Sequence, residues 1–270
     1  MAAAPRGGRN PPVLKKFGQH FLTDTTILSA IVDALAPTRA DTVVEVGPGR
    51  GSLTDILADR SGRLVAVEID RALAEQLRAR YKDRPAVEIV EGDVLETDLH
   101  ELAGEDFLLI GNVPYYITTP IVFKAIEPPI PRRSVFLVQR EVADRMSAAA
   151  GTESYGALSV NIAVVAAVET VLHVPASAFR PPPKVESAVV RITPLSAPLV
   201  PPKSLVAFRT FVQAAFGLRR KQMQRVIRTV RGISPEAAAE VLRKAGIDPE
   251  SRPETISPSE FARLFALVEP

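Results

Sequence analysis

The sequence of 270 residues has no cysteine, no tryptophan and only three histidines. Without cysteine the chain cannot form disulfide bridges, cysteine-ligated zinc sites or iron–sulfur clusters, and it cannot use thiol catalysis. The histidines His20, His100 and His173 are too scattered to predict a metal site. We therefore expect an organic cofactor and no metal.

Long apolar runs are also missing. No stretch approaches the roughly 18 consecutive apolar residues of a membrane span, and residues 1–9 contain no apolar segment of the kind that directs secretion. We therefore expect a cytoplasmic protein without a membrane partner. The chain is 46% hydrophobic and 24% charged, which excludes disorder throughout and allows a large core with a smaller second domain.

The net charge of +2 hides a separation of the two signs along the chain. Residues 1–23 carry four basic and no acidic side chains, and residues 24–202 have a net charge of −7. Residues 203–231 then carry eight basic and no acidic side chains, and residues 232–270 have a net charge of −3. Two basic segments beside an acidic body favour a polyanionic partner such as a nucleic acid. A solvated basic helix face is the alternative.

Short β-branched runs alternate with helical patterns in the first part of the chain, which indicates a mostly parallel sheet with helices on both faces. Strands are predicted at 42–46, 64–69, 87–90, 107–110 and 135–138. Helices are predicted at 24–36, 52–60, 71–82, 118–127 and 141–149, the first of them capped by Thr23 or Asp24. The apolar stretches 158–168 and 188–192 are expected to be closing antiparallel strands, separated by a proline-rich turn at 180–184.

Prolines concentrate at 194–202, where the strand pattern stops, and only helical patterns follow. Pro235, Pro249 and Pro258 are predicted to mark helix starts. The sequence therefore predicts three parts: a basic N-terminal arm at 1–23, an α/β domain at 24–198 and a small all-helical C-terminal domain at 199–270.

Three glycines, Gly47, Gly49 and Gly51, follow the first predicted strand of the sheet and precede a helix. Glycines permit the tight turn, and the helix N-terminus can receive a carboxylate or a phosphate. The spacing is G-x-G-x-G and not the G-x-G-x-x-G of dinucleotide enzymes, which favours an amino-acid carboxylate over a pyrophosphate. A purely structural strand-to-helix turn is the alternative.

Acidic side chains follow the next two predicted strands. Glu68, favoured by its position over Asp70, can accept two hydrogen bonds from a ribose diol. Asp93 can accept from the exocyclic amine of an adenine. Together with the glycine loop, these acids suit a nucleoside joined to an amino acid, as in S-adenosylmethionine. Each acid taken alone could instead be a solvated loop residue or a helix cap.

The most specific feature is the segment 112–115, Asn-Val-Pro-Tyr, where a fourth strand delivers its carboxyl end. The side-chain oxygen of Asn112 and the carbonyl of Val113, held outward by Pro114, can accept both hydrogens of an exocyclic amine. Tyr115 can stack on the base. These parts predict methyl transfer to an aromatic amine, which needs positioning and electrostatics more than a strong base. A structural Asn-x-Pro turn is the alternative.

Seven segments, in order from about residue 15 to about residue 225, resemble the ribosomal RNA adenine N6-dimethyltransferase family, and within it the small-subunit branch of the KsgA/RsmA type. The resemblance implies a Rossmann-like class I methyltransferase sheet. It also implies a monomer that uses S-adenosyl-L-methionine, with S-adenosylhomocysteine as product, to dimethylate two adjacent adenosines near the 3′ end of 16S rRNA in the immature small ribosomal subunit. The segments are 17–22, 45–51, 68–70, 92–93, 112–115, 179–185 and 216–221.

The resemblance also implies roles for individual residues. Tyr115 and Phe179 would sandwich the flipped adenine. The catalytic residues would be Asn112, Pro114, Tyr115 and Phe179. The cofactor-binding residues would be His20, Leu22, Gly47, Gly49, Glu68, Asp93 and Asn112, and the RNA-binding residues Lys15, Lys16, Arg219, Arg220 and Lys221.

Two departures from the family pattern are visible. Val113 stands where the family usually has leucine, at a position that contributes its backbone. Residues 222–225 differ from the expected run containing threonine and asparagine, which puts individual RNA contacts there in doubt.

Three other functions compete with this interpretation. A related large-subunit enzyme that confers macrolide resistance shares most motifs, although 219–221 and 185–192 resemble the small-subunit branch more. A ribosome-assembly factor with a vestigial methyl site is a second alternative, against which the intact 112–115 segment argues. A dinucleotide oxidoreductase is the third, but its glycine spacing differs and it leaves 112–115 unexplained.

Overall fold

The computed structural model describes residues 21–269, and nine strands lie within this range. The first and the eighth strand form a short two-stranded ribbon, and the other seven form one sheet. The strands are β1 (Phe21–Leu22), β2 (Thr42–Val46), β3 (Arg63–Glu68), β4 (Val87–Glu91), β5 (Phe107–Asn112), β6 (Arg133–Gln139), β7 (Ala166–Val174), β8 (Phe179–Arg180) and β9 (Ser187–Pro194).

The large sheet has the strand order β4-β3-β2-β5-β6-β9-β7. Its first five strands are parallel, and β9 runs antiparallel to both β6 and β7. The strand order reverses between β2 and β5, because β3 and β4 lie on one side of β2 and β5 lies on the other. This topology confirms the predicted Rossmann-like sheet, and ligands of such sheets bind outside the carboxyl ends of the strands at the reversal.

Helices cover both faces of the sheet. Alternate residues of β2 belong to two different apolar clusters, Val44 and Val46 to one and Val43 to the other. The helices are α1 (Thr25–Leu35), α2 (Ser52–Arg60), α3 (Arg71–Arg80), α4 (Leu99–Ala103), α5 (Thr118–Ala125), α6 (Arg140–Ser147), α7 (Ala157–Ala163), α8 (Leu205–Gly217), α9 (Met223–Arg231), α10 (Pro235–Lys244) and α11 (Pro258–Val268). None of these eleven helices has the length and apolar character needed to cross a membrane.

The predicted strand at 158–168 is wrong. Most of this stretch forms α7, and β7 begins only at Ala166. The helix buries five consecutive residues, Leu158–Ile162, so its sequence is apolar on every side. A short apolar run of this kind does not distinguish a buried helix from a buried strand. The expected strand at 188–192 is confirmed within β9, which is antiparallel as predicted.

The C-terminal helices pack on one face of the sheet. Phe208 of α8 and Phe261 of α11 are fully buried in the same apolar cluster as Phe136 of β6. The phenol of Tyr155 donates a hydrogen bond of 2.6 Å to the carbonyl of Ile256, which joins the α6–α7 connection to the segment before α11. Pro235 and Pro258 begin helices as predicted, whereas Pro249 lies in a turn, so that prediction is wrong. The division of the chain at residue 198 stays a prediction.

Candidate active site

The register of the sheet brings four strand ends together at one edge. Val46 pairs with Val67 of β3 and with Gly111 of β5, and Glu68 pairs with Glu91 of β4. The residues that follow β2, β3 and β4, together with the end of β5, therefore lie side by side. This edge is where the sequence predicted a cofactor and a target base.

The glycine loop between β2 and α2 has a backbone that other residues rarely adopt. Gly47, Gly49 and Gly51 have φ angles of +63°, +58° and +83°, all in the left-handed region. The N–H of Gly47 donates to the carbonyl of Val67 at 2.9 Å, which ties the loop to the neighbouring strand. A Cβ atom on Gly49 would lie 3.2 Å from the ring of Phe21. The loop therefore presents backbone, and not side chains, to the space above the sheet edge.

This edge borders a cavity of about 200 Å³. Its lining includes the N-terminal turn of α2 and residues from the ends of β1 to β5. The predicted site residues that line it are Leu22, Gly47, Gly49, Glu68, Asp93, Asn112, Pro114 and Tyr115. The structure thus brings eight of the predicted cofactor and catalytic residues to one cavity.

Glu68 is almost completely buried at the floor of the cavity, with 3% of its surface exposed. Its Oε2 atom accepts from the N–H of Gly49 and its Oε1 atom from the N–H of Asp70, both at 2.9 Å. Burial raises the pKa of Glu68, and these backbone hydrogen bonds oppose the rise. Each carboxylate oxygen has a further lone pair that can accept from a ligand hydroxyl.

Asp93 lies beside Glu68 at the end of the next strand. Its Oδ1 atom accepts from the N–H of Leu95 at 2.9 Å, which fixes the turn after β4. The carboxylate is therefore held in place by the local backbone while it lines the cavity.

Glu45, to which the sequence assigned no role, is a second buried acid at the cavity. It is 1% exposed, and its Oε2 atom has no hydrogen-bond partner among the described residues. Burial raises the pKa of Glu45 to about 8, with a smaller contribution from the nearby charges of Glu68 and Asp55. The carboxyl group is therefore largely protonated at neutral pH.

The segment 112–115 closes the other side of the cavity. Asn112 is the last residue of β5, Val113 is buried, and Tyr115 begins a short 3-10 turn, Tyr115–Ile117. Tyr115 is half-buried, and its phenol shares a hydrogen bond of 2.7 Å with the hydroxyl of Ser187. The Asn112 side chain and the Tyr115 ring thus line the same cavity as the glycine loop.

Phe179 departs from the expected arrangement. It is fully buried in the cluster that contains Leu22 and Ala178, and it does not line the cavity. The pairing of β1 with β8, in which Phe179 lies opposite Leu22, explains this burial. An adenine cannot stack on Phe179 unless the side chain becomes uncovered. His20, Lys15 and Lys16 lie outside the described residues.

The basic segment 203–231 is partly neutralised by ion pairs. The Nε atom of Arg219 lies 2.8 Å from an oxygen of Glu254, Arg209 pairs with Glu127, and Arg231 pairs with Glu269. Arg220 and Lys221 are exposed and form no ion pair with another residue of 21–269. The expected cluster 219–221 therefore contains one arginine held by a carboxylate and two available cations.

Three cavity-lining residues were not predicted as site residues: Phe21, Ile69 and Tyr116. Ile69 and Tyr116 are large apolar side chains that are 50% and 62% exposed. Each of the three is adjacent in sequence to a residue that was predicted, Leu22, Glu68 or Tyr115. This adjacency is the signal that could have identified them.

The match to known proteins decides the family. The model of the ribosomal RNA adenine dimethylase family matches residues 13–269. The chain belongs to this family. Curated relatives support the assignment: the chain is 41% identical to the Ribosomal RNA small subunit methyltransferase A of Caldanaerobacter subterraneus over 93% of this chain and 95% of that protein. It is also 41% identical to the protein of the same name from Geobacter metallireducens, over 93% of each chain.

Solved structures of similar proteins support the same assignment for the dimethylase. The structure of the 23S rRNA methyltransferase ErmE is 27% identical, with a TM-score of 0.72 over 93% of this chain and all of that one. A dimethyladenosine transferase from Plasmodium falciparum is 25% identical, with a TM-score of 0.76 over 92% of this chain and 96% of that one. The dimethylase is therefore a methyltransferase, and the dinucleotide oxidoreductase alternative is wrong.

Proposed function

We propose that this dimethylase transfers methyl groups from S-adenosylmethionine to N6 of two adjacent adenosines near the 3′ end of 16S rRNA, as a monomer acting on the immature small ribosomal subunit. The observation that carries this proposal is the single cavity shared by the glycine loop and the segment 112–115. A cofactor site and an amine-binding site that share one cavity suit direct transfer between the two ligands.

The residues of the cavity fit the parts of this cofactor. The backbone of the loop 47–51 would hold the amino-acid end near the N-terminus of α2. Glu68 would accept the ribose hydroxyls through the lone pairs not used by Gly49 and Asp70, and Asp93 would accept the adenine amine. Leu22 and Ile69 supply apolar walls. When bound, S-adenosylmethionine supplies an electrophilic methyl group.

The segment 112–115 would prepare the target amine. The side-chain oxygen of Asn112 and the carbonyl of Val113 would each accept one N6 hydrogen, which favours a more pyramidal nitrogen whose lone pair faces the methyl group. Tyr115 would stack on one face of the adenine. A second aromatic contact from Phe179 would require that residue to leave its buried position. Alignment and electrostatic stabilisation would supply most of the acceleration.

The RNA would be held by its phosphates at a distance from the reacting base. Arg220 and Lys221 are the best candidates in the C-terminal helices, because they are exposed and form no ion pair with another described residue. Lys15 and Lys16 would add contacts from the N-terminal arm. The target adenosine must leave its stack to reach the cavity, and phosphate contacts on both sides would favour that state.

The small-subunit substrate is supported by the comparison of relatives. The curated proteins named for the small subunit are 41% identical to this chain, whereas the 23S rRNA methyltransferase ErmE is 27% identical. Both kinds of protein share the fold, so the fold alone does not separate the two substrates.

The variant Asn112→Ala tests the proposed mechanism. We expect loss of methyl transfer with cofactor affinity weakened but measurable, because the variant removes the amine acceptor and leaves the loop and Glu68 in place. Asn161→Ala is the matched control, since Asn161 is a buried asparagine of α7 that bonds its own helix and not the cavity. Transfer is measured with labelled S-adenosylmethionine and binding by calorimetry. Near-normal turnover of Asn112→Ala would remove this residue from the mechanism.

A further inference from the structure

The hydrogen bond between Tyr115 and Ser187 joins the base-binding segment to the last strand of the sheet. Its length is 2.7 Å, and the two residues are 72 positions apart in the chain. Ser187 is 0% exposed, so its hydroxyl has no access to solvent. A buried hydroxyl of this kind normally has a hydrogen-bond partner, and here that partner is a residue of the cavity.

The antiparallel direction of β9 places Ser187 at this edge. Asn112 of β5 pairs with Leu137 of β6, and Leu137 pairs with Val189 of β9. Ser187 pairs with Gln139, two residues further along β6, and therefore lies beyond the carboxyl end of β5. A parallel strand would present its carboxyl end at this position. Because β9 is antiparallel, its first residue reaches the cavity edge instead.

The hydrogen bond holds the far end of the Tyr115 ring. The near end is fixed by the backbone of the 3-10 turn that begins at Tyr115. A ring held at both ends cannot swing about χ1, so its face keeps one orientation toward the cavity. A stacking surface that is already oriented loses less conformational freedom when a base binds.

We propose that Ser187 is a positioning residue for the target base, acting through the phenol of Tyr115. The inference depends on the proposed function, because it assumes that Tyr115 stacks on the adenosine that is methylated. Ser187 itself does not line the cavity, so its effect passes through Tyr115 and leaves the cofactor-binding residues in place.

A double-mutant cycle tests the inference. Ser187→Ala and Tyr115→Phe each remove one partner of the same hydrogen bond, and Tyr115→Phe keeps the aromatic ring. We expect each variant to lower kcat/KM for RNA by roughly three- to tenfold, the usual contribution of one hydrogen bond, with unchanged affinity for S-adenosylmethionine. The double variant should lose no more than either single variant. Ser187→Thr, which keeps the hydroxyl, should restore most of the activity.

Ser134→Ala is the matched control, because Ser134 is a buried serine of β6 in the same sheet and does not line the cavity. Thermal unfolding identifies any serine variant that fails to fold, and Tyr115→Phe then still reports on the bond from its other end. Normal kinetics of Ser187→Ala and Tyr115→Phe, or additive losses in the double variant, would overturn the inference. Absence of any RNA methylation by the wild-type protein would instead overturn the proposed function, and the inference with it.

Discussion

The buried carboxyl group of Glu45 makes the stability of the protein depend on pH. Glu45 lies at the floor of the cavity with 1% of its surface exposed. Its pKa is raised from 4.5 to about 8, chiefly by burial, so the folded state holds a proton that the unfolded chain releases. Stability from this group is therefore fully present below about pH 4.5 and is lost as the pH rises through about 8.

The size of the effect follows from the two pKa values. A shift of one unit corresponds to about 1.4 kcal/mol, so a pKa raised from 4.5 to about 8 is equivalent to about 5 kcal/mol over the full range. Between about pH 5 and about pH 8 the loss is about 3 to 4 kcal/mol. The isosteric variant Glu45→Gln carries no titrating proton and should lack this slope.

Urea unfolding at several pH values between about 5 and 8 measures the difference in unfolding free energy between the wild type and Glu45→Gln. The difference should move by about 3 to 4 kcal/mol in favour of the variant as the pH rises. Glu153→Gln, at an exposed glutamate, is the matched control and should follow the wild type. A difference that stays constant with pH would show that Glu45 is ionised in the folded protein and would refute the reasoning.

Three further variants test separate parts of the site. Glu68→Ala removes the acceptor of the Gly49 and Asp70 N–H groups and should weaken S-adenosylmethionine binding at least tenfold, about 1.4 kcal/mol by calorimetry; unchanged affinity would contradict its role. Reversal of Arg220 and Lys221 to glutamate should weaken RNA binding and lower its salt slope by about 0.7 or more per lost contact, with normal cofactor binding; an unchanged slope would exclude phosphate contacts there. Gly51→Ala should destabilise the protein by about 1 to 2 kcal/mol or more, because its φ is +83° and a Cβ would lie 2.9 Å from Leu77; Gly151→Ala, with φ of +84° and no atom nearby, should cost less, and equal losses would exclude the steric contribution.

The parallel part of the sheet and its binding edge could be predicted from sequence because the signals are local. Each strand of this part is a short β-branched run, and Gly47, Glu68, Asp93 and Asn112 each lie at or just after a strand end. Carboxyl ends of parallel strands meet at one edge, so the sequence order of these residues was sufficient to bring them together.

The rest depended on contacts between distant parts of the chain. The stretch 158–168 was predicted as a strand because a helix that is buried on all sides has no polar face to reveal its period. The ion pair of Arg219 with Glu254 and the hydrogen bond of Tyr115 with Ser187 join residues that are 35 and 72 positions apart. Such contacts have no local sequence signal. The burial of Phe179 follows from the pairing of two two-residue strands, which are too short to predict from periodicity.

The central claim is best tested by methyl transfer from labelled S-adenosylmethionine to three acceptors in parallel. The acceptors are unmethylated small ribosomal subunits, naked small-subunit RNA and naked large-subunit RNA, and the modified nucleoside is identified by chromatography. We expect N6,N6-dimethyladenosine on the small-subunit particle, at two adjacent positions near the 3′ end of its RNA. Label on large-subunit RNA, or no label on any acceptor despite cofactor binding, would contradict the account.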